Sequence, residues 1–130
     1  MKTIYLAYPV TSGDHKLPHI HFAISHLKKK NTIVIQPSYH FFPDILASTT
    51  LQGIEKSDCI IADVTTYSHG VGFELGYAYA LGKNILVICQ LRAKEKVSKF
   101  ILGLFPNMIF YSDQQDLENK IKPVLSMAKK

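Results

Sequence analysis

The sequence predicts a three-layer α/β sandwich, with helices on both faces of a five-stranded parallel sheet. Two observations predict it. Short apolar, β-rich runs alternate with segments of helical spacing along the whole chain. The central runs "DCIIADV" and "NILVICQ" are apolar without alternation, as strands covered on both faces are.

The elements follow in order. "TIYLAYPV" (residues 3–10) is a buried strand that ends at Pro9 and the turn cluster "TSGD". "LPHIHFAISHLKKKN" (17–31) carries Pro18 near its start and places Ile20, Ala23, Ile24 and Leu27 at helical spacing. "TIVIQP" (32–37) is the second strand. "DILASTTLQGIEKS" (44–57) is a helix weakened by Ser48, Thr49, Thr50 and Gly53. "DCIIADV" (58–64) is the third strand, and "VGFELGYAYALGK" (71–83) a helix that stops at Gly82. "NILVICQ" (84–90) is the fourth strand, "KVSKFILGLF" (96–105) a helix, and "MIFYS" (108–112) the fifth strand. "DLENKIKPVLSMAKK" (116–130) closes the chain as a helix, with Pro123 predicting a kink or an early break. No repeat, low-complexity tract or linker interrupts the pattern, so residues 1–130 are expected to form one domain.

Right-handed crossovers with five strands predict a flavodoxin-like or Rossmann-like order, 2-1-3-4-5. In such sheets ligands bind beyond the carboxyl ends of the strands, at the switch point between strands 1 and 3. The loops leaving those ends are "YPVTSGDH", which begins at Tyr8, and "TTYSHGVG". Both are rich in glycine and hydroxyl side chains, and the site is expected between them.

Composition narrows the class of function. No apolar run reaches membrane-spanning length, and "MKTIYLAYPV" lacks the shape of a signal peptide, so no membrane association is expected and a cytoplasmic location is. Cys59 and Cys89 lie in apolar runs and read as buried small hydrophobes. The formal net charge is +5, and Arg92 is the only arginine among 15 basic residues. The lysines gather at predicted helix ends and lack interleaved aromatics, so a nucleic-acid polymer is not the expected partner; a small anionic ligand is. The 6 histidines are not joined by a cysteine or acidic cluster, although His15 and His19 could share a helix face, so no metal site is expected. No cofactor is expected either. The dinucleotide fingerprint needs three glycines after the first strand, where only Gly13 stands, and no Gly-Lys-Ser/Thr makes a phosphate loop.

The segment "SHGVGFELGYA" (68–78) sets one acidic residue, Glu74, among glycines and apolar side chains. Placed in the first turn of its helix, Glu74 would be kept ionised by the amides and dipole there. On the helical wheel it shares a face with Tyr77, Ala78 and Leu81 and points inward. An ionised carboxylate at the mouth of an α/β site suits a nucleophile or a stabiliser of a developing cation. Alternatively, Glu74 merely caps the helix. Gly70 and Gly72 would let a ligand approach the backbone closely, or simply make a tight turn.

"ADVTTYSHGVGFELGYAYALGKNILVI", with the opening "IYLA" and the later "KVSKFI", resembles the nucleoside 2-deoxyribosyltransferase superfamily, and within it the 2'-deoxynucleoside 5'-monophosphate N-hydrolases. The resemblance implies a flavodoxin-like fold and Glu74 as the nucleophile that attacks C1' of the sugar. It implies that Tyr5, otherwise a core residue, orients that carboxylate. Ser68 stands where the transferases carry an aspartate for a free 5'-hydroxyl, and the hydrolases a serine; this implies a 5'-phosphate on the substrate. Ser98 matches a serine that the hydrolases bring from the partner subunit, which implies a homodimer or larger homo-oligomer with shared sites; taken alone it is a solvated helix serine. Thr11, Ser12 and Gly13 lie where the family's first loop meets the sugar phosphate, without the hydrolases' arginine; Lys16 or Lys99 would have to compensate. In the second helix the family's aspartate, which assists the leaving base, is replaced by Thr50, a residue unable to act as a general acid near neutrality. Asp44 is the carboxylate that could fold in. The expected activity is hydrolysis of the N-glycosidic bond of (2'-deoxy)nucleoside 5'-monophosphates. Base exchange between nucleosides and nucleotide binding with little turnover are the alternatives. Beside these, His69 would touch phosphate or base or stay an exposed imidazole, and Asp63 would approach the sugar or cap the next turn. Tyr67 would stack on a base or be core, and Phe73 and Tyr77 are expected in the core.

Overall fold

A computed structural model describes residues 2–9, 18–37 and 42–127 of the 130. The strands are β1 (Lys2–Ala7), β2 (Thr32–Ile35), β3 (Cys59–Asp63), β4 (Asn84–Gln90) and β5 (Ile109–Tyr111). The helices are α1 (His19–Leu27), α2 (Pro43–Lys56), α3 (His69–Ala80), α4 (Lys99–Leu104) and α5 (Gln114–Met127). All pairings are parallel and the strand order is β2-β1-β3-β4-β5, the order the alternation predicts.

Alternate residues of β1 serve opposite faces. Ile4, Leu6 and Tyr8 pack with Ile20, Ala23 and Ile24 of α1 and with Leu117 and Ile121 of α5. Tyr5 and Ala7 pack with Ile54 of α2 and with Val71, Leu75 and Ala78 of α3. The register sets Tyr5 beside Ile35 of β2 and Ile60 of β3, so the Tyr5 ring rises from mid-sheet into the α2–α3 layer. Cys59 and Cys89 are buried and unpaired. Among the described residues no helix is long and apolar enough to cross a membrane.

Several boundaries differ from expectation. α3 starts at His69, two residues early, because the Ser68 side chain caps it by accepting from Val71 N at 3.2 Å. It ends as expected, with Gly82 at φ +70°, a left-handed conformation that costs glycine little. The predicted helix over 96–105 shortens to α4, capped by Ser98, and a 3-10 segment (Leu91–Lys96) that was not expected precedes it. α2 runs unbroken for 14 residues despite its serine, threonines and glycine. α5 passes through Pro123 without stopping. Its buried Leu117 and Ile121 dock it on α1 and β1, and that packing outweighs the lost hydrogen bond.

The loop leaving β3 is fixed by Asp63. Tyr111 Oη donates to Asp63 Oδ2 at 2.6 Å, and Thr65 N donates to Oδ1 at 2.9 Å. Gln90 N in turn donates to Thr65 Oγ1 at 2.8 Å. Asp63 therefore caps the next turn. Burial and the Asp63 charge push the Tyr111 hydroxyl far above its usual range, so it stays a donor. Tyr111→Phe should cost about 1–3 kcal/mol in chemical denaturation, because Asp63 Oδ2 would lose its partner in a buried setting.

Candidate active site

The site is built where the strand order reverses. β1 delivers Tyr5, the residue after it is Tyr8, and α3 with its cap delivers Ser68, Gly70 and Glu74. Between them opens a cleft of about 340 Å³, within the range of small-molecule sites. Tyr8, Ser68, Gly70 and Glu74 line one side. Pro37, Pro43, Leu46, Ala47, Thr50 and Leu51 form an apolar wall opposite, and Phe73 completes the rim.

Glu74 is the sixth residue of α3, in its second turn and not the first. The expectation that first-turn amides keep it ionised is corrected by this placement. Val71 N is bound by Ser68 Oγ and Gly72 N by the Ser68 carbonyl, while the helix dipole fades beyond the first turn. Glu74 does point inward, at 8 % exposure. Its Oε2 and the Tyr5 hydroxyl are both buried, and neither closes a hydrogen bond of normal geometry among the described residues. They are near enough to act on each other. Burial raises the Glu74 carboxyl to about 7, and the Tyr5 hydroxyl restrains that rise. Burial first, and then the Glu74 charge, push the Tyr5 hydroxyl well above its ordinary range, while the Thr50 hydroxyl pulls it down. Tyr5 thus keeps its proton beside the carboxylate. Buried polar atoms left in want of partners are rare, and they mark sites where a ligand or reaction supplies what is missing.

The other expected site residues divide. Ser68 lines the cleft, and a Cβ added at Gly70 would stand 3.7 Å from both Glu74 Oε1 and Ser68 Oγ, so glycine keeps the space between those oxygens open. The Tyr8 hydroxyl makes a long contact with Gln36 Oε1, at 3.5 Å. Thr11, Ser12, Gly13 and Lys16 lie outside the described residues, as does His15. Gly72 faces away from the cleft, into a groove with Leu75, Gly76, Tyr79 and Phe100. Ser98 is exposed at the start of α4, outside the cleft of its own chain. Asp44 and Lys99 are exposed and do not line the cleft. His69 is exposed as well. Tyr67 is neither core nor cleft lining; its hydroxyl donates to the Lys96 carbonyl at 2.5 Å and ties the loop before α3 to the 3-10 segment. Phe73, expected in the core, is 62 % exposed at the cleft rim and stacks on the half-buried Tyr77.

The apolar wall from α2 lies outside the loops that follow β1 and β3, where the sequence predicts the site. Its signal lies in the spacing of Ala47, Thr50, Leu51 and Ile54, which sets one face of α2 toward the sheet.

The Glu74 carboxyl has a consequence for stability. Its folded value of about 7 stands above the ordinary 4.5. The protein is therefore most favoured, with respect to this group, below pH 4.5, and loses that stability as pH rises through 7. Glu74→Gln should exceed the native protein in stability by about 2–4 kcal/mol at pH 8, with the gain shrinking to near zero at pH 4.5, in urea titrations at both pH values.

Comparison with known proteins shows what the chain is similar to in sequence and fold. The sequence model of the family described as nucleoside 2-deoxyribosyltransferase matches residues 4–109. The chain is 25 % identical over 136 aligned positions to "Putative 2'-deoxynucleoside 5'-phosphate N-hydrolase 1" of Thermofilum pendens, covering 94 % of each chain. It is 42 % identical over 53 residues to 5-hydroxymethyl-dUMP N-hydrolase of Rattus norvegicus, covering 41 % of this chain and 32 % of that one. Its fold is similar to that of the CMP N-glycosidase of Clostridium botulinum, with a TM-score of 0.69 at 24 % identity, covering 92 % of this chain and 98 % of the other.

Proposed function

The chain belongs to the nucleoside 2-deoxyribosyltransferase family, and we propose that it is an N-glycosidase that hydrolyses (2'-deoxy)nucleoside 5'-monophosphates to free base and sugar 5-phosphate. The observation that carries this reading is the buried carboxylate of Glu74, facing the Tyr5 hydroxyl at the edge of a cleft of nucleoside size. The names of the relatives support the reaction class.

The steps follow from the groups present. An Oε of ionised Glu74 attacks C1'; the C1'–N bond breaks, its electron pair stays on the base nitrogen, and the base takes a proton from solvent. Positive charge gathers on the sugar in that transition state, and a desolvated carboxylate stabilises it strongly before bonding. Water then attacks C1', the C1'–O bond to Glu74 breaks, and the carboxylate returns with release of a proton. Tyr5 orients the carboxylate through both steps. The apolar wall of α2 and the Phe73 ring accept the flat base. Ser68 and the start of α3 receive the 5'-phosphate, since a neutral hydroxyl beside helix amides suits a dianion.

The site is completed by a second copy of the chain in this reading. Ser98 stands beside a surface groove between α3 and α4 lined by Gly72, Gly76, Tyr79 and Phe100. Tyr79 is 56 % and Phe100 73 % exposed, an apolar face that a partner would cover. Light scattering at micromolar concentration should give a dimer or larger assembly; a fully active monomer would remove the shared phosphate site.

Kinetics test the chemistry. Glu74→Ala should lose several orders of magnitude in turnover with the fold intact by circular dichroism. The rate should rise with pH through a value near 7, as Glu74 ionises. In a panel of deoxynucleosides and their monophosphates, free base should appear without any acceptor base, fastest from the monophosphates. Ser68→Asp should lower kcat/KM for a monophosphate about ten- to a thousand-fold, the cost of setting like charges about 4 Å apart, and leave the nucleoside nearly unaffected. Turnover only with an acceptor base identifies a transferase instead, and ligand-induced stabilisation without turnover identifies a binding protein.

A further inference from the structure

Gly53 lies in the last turn of α2, three residues before its end, and is buried. A Cβ built on it would stand 3.0 Å from Tyr5 Cε2, 3.1 Å from Tyr5 Cδ2 and 3.3 Å from Ile35 Cγ2. Carbon atoms meet comfortably at about 3.5–4.0 Å, so α2 keeps its present distance from the Tyr5 ring because it has no side chain there. The contact is local: Gly72, Gly76 and Gly103, also in helices, have nothing within 4 Å of such a Cβ. One turn earlier, Thr50 lines the cleft, and its hydroxyl offsets part of the rise that burial gives the Tyr5 hydroxyl. α2 therefore meets Tyr5 at the ring edge, at Gly53. A small hollow of about 20 Å³, bounded by Tyr5, Ile35, Thr49 and Thr50, adjoins the ring.

We propose that Gly53 is a positioning residue, whose lack of a side chain sets the Tyr5 hydroxyl against the Glu74 carboxylate. The inference rests on the reading of Glu74 as nucleophile and adds to it a residue outside the cleft. It also gives a reason for a glycine inside the last turn of a helix, where it costs up to about 1 kcal/mol relative to alanine. Propensity and position pull in opposite directions at this residue. Alanine should improve the helix while displacing the ring by a few tenths of an ångström.

Gly53→Ala tests it, alone and in a Tyr5→Phe background, with Glu74→Ala as the reference for lost chemistry. Gly53→Ala should keep its Tm within a few degrees or raise it, keep KM within about twofold, and lower kcat about tenfold or more. The rising limb of its pH–kcat profile should move to higher pH, because Glu74 loses the hydroxyl that restrains it. In the Tyr5→Phe background the same substitution should change kcat by less than about twofold, since no hydroxyl remains to misplace. A kcat and pH profile equal to wild type overturns the proposal. So does a loss that persists in the Tyr5→Phe background or comes with a large fall in Tm, which would make Gly53 a packing residue only. Full activity in Glu74→Ala overturns the reading of Glu74, and this inference with it. An inactive Glu74→Ala beside an unaffected Gly53→Ala overturns this inference alone.

Discussion

A carboxylate and a phenol hydroxyl, both withdrawn from water and neither fully bonded, are the constraint on which this molecule turns. Burying Glu74 is unfavourable for folding at neutral pH, since the charged form is desolvated. Tyr5 relieves part of that penalty and suffers its own. Such a pair persists only because the surrounding sheet and helices are over-determined. In the proposed reaction the same desolvation becomes useful. Positive charge developing on a sugar is worth more to a carboxylate in a dry cleft than in water, and the site is arranged before the substrate arrives.

The fold explains why the pair meets. β1 is an interior strand flanked by β2 and β3, so Tyr5 is held from both sides by strand pairing. Its ring is met from above by α2, at a glycine, and by α3, whose start is set by the Ser68 cap. The loop before α3 is tied at both ends, by the Asp63–Tyr111 hydrogen bond behind it and by Tyr67 reaching the Lys96 carbonyl ahead. Glu74 thus rides on a helix whose position is fixed by three separate contacts. The apolar wall of α2 closes the cleft on the side where a base would lie.

Much of this was legible in the residues. β4 matches its expected bounds because Gly82 and Asn84 mark its beginning and the apolar run ends at Gln90. The strand order followed from alternation, and the inward face of Glu74 from the helical wheel. What was not legible depended on contacts between elements. A serine before two glycines reads as loop, but Ser68 makes it a cap, which moved α3 back and put Glu74 in the second turn. That shift changes the physics of the carboxylate from one held by amides to one strained by burial. Gly53 reads locally as a weak point in a helix; only the approach of Tyr5 reveals what it permits. Pro123 reads as a break, and the buried faces of Leu117 and Ile121 carry α5 through it. Phe73 reads as core, but its place on α3 turns it to the cleft rim.

The central claim is that Glu74 bonds to the sugar. Acid quenching of the enzyme during turnover of a deoxynucleoside 5'-monophosphate, followed by proteolysis and mass spectrometry, tests it most directly. The account predicts one sugar-phosphate adduct, on the peptide that carries Glu74, which disappears as substrate is exhausted. Release of base through many turnovers with that peptide never modified, or with the adduct on another residue, would contradict it.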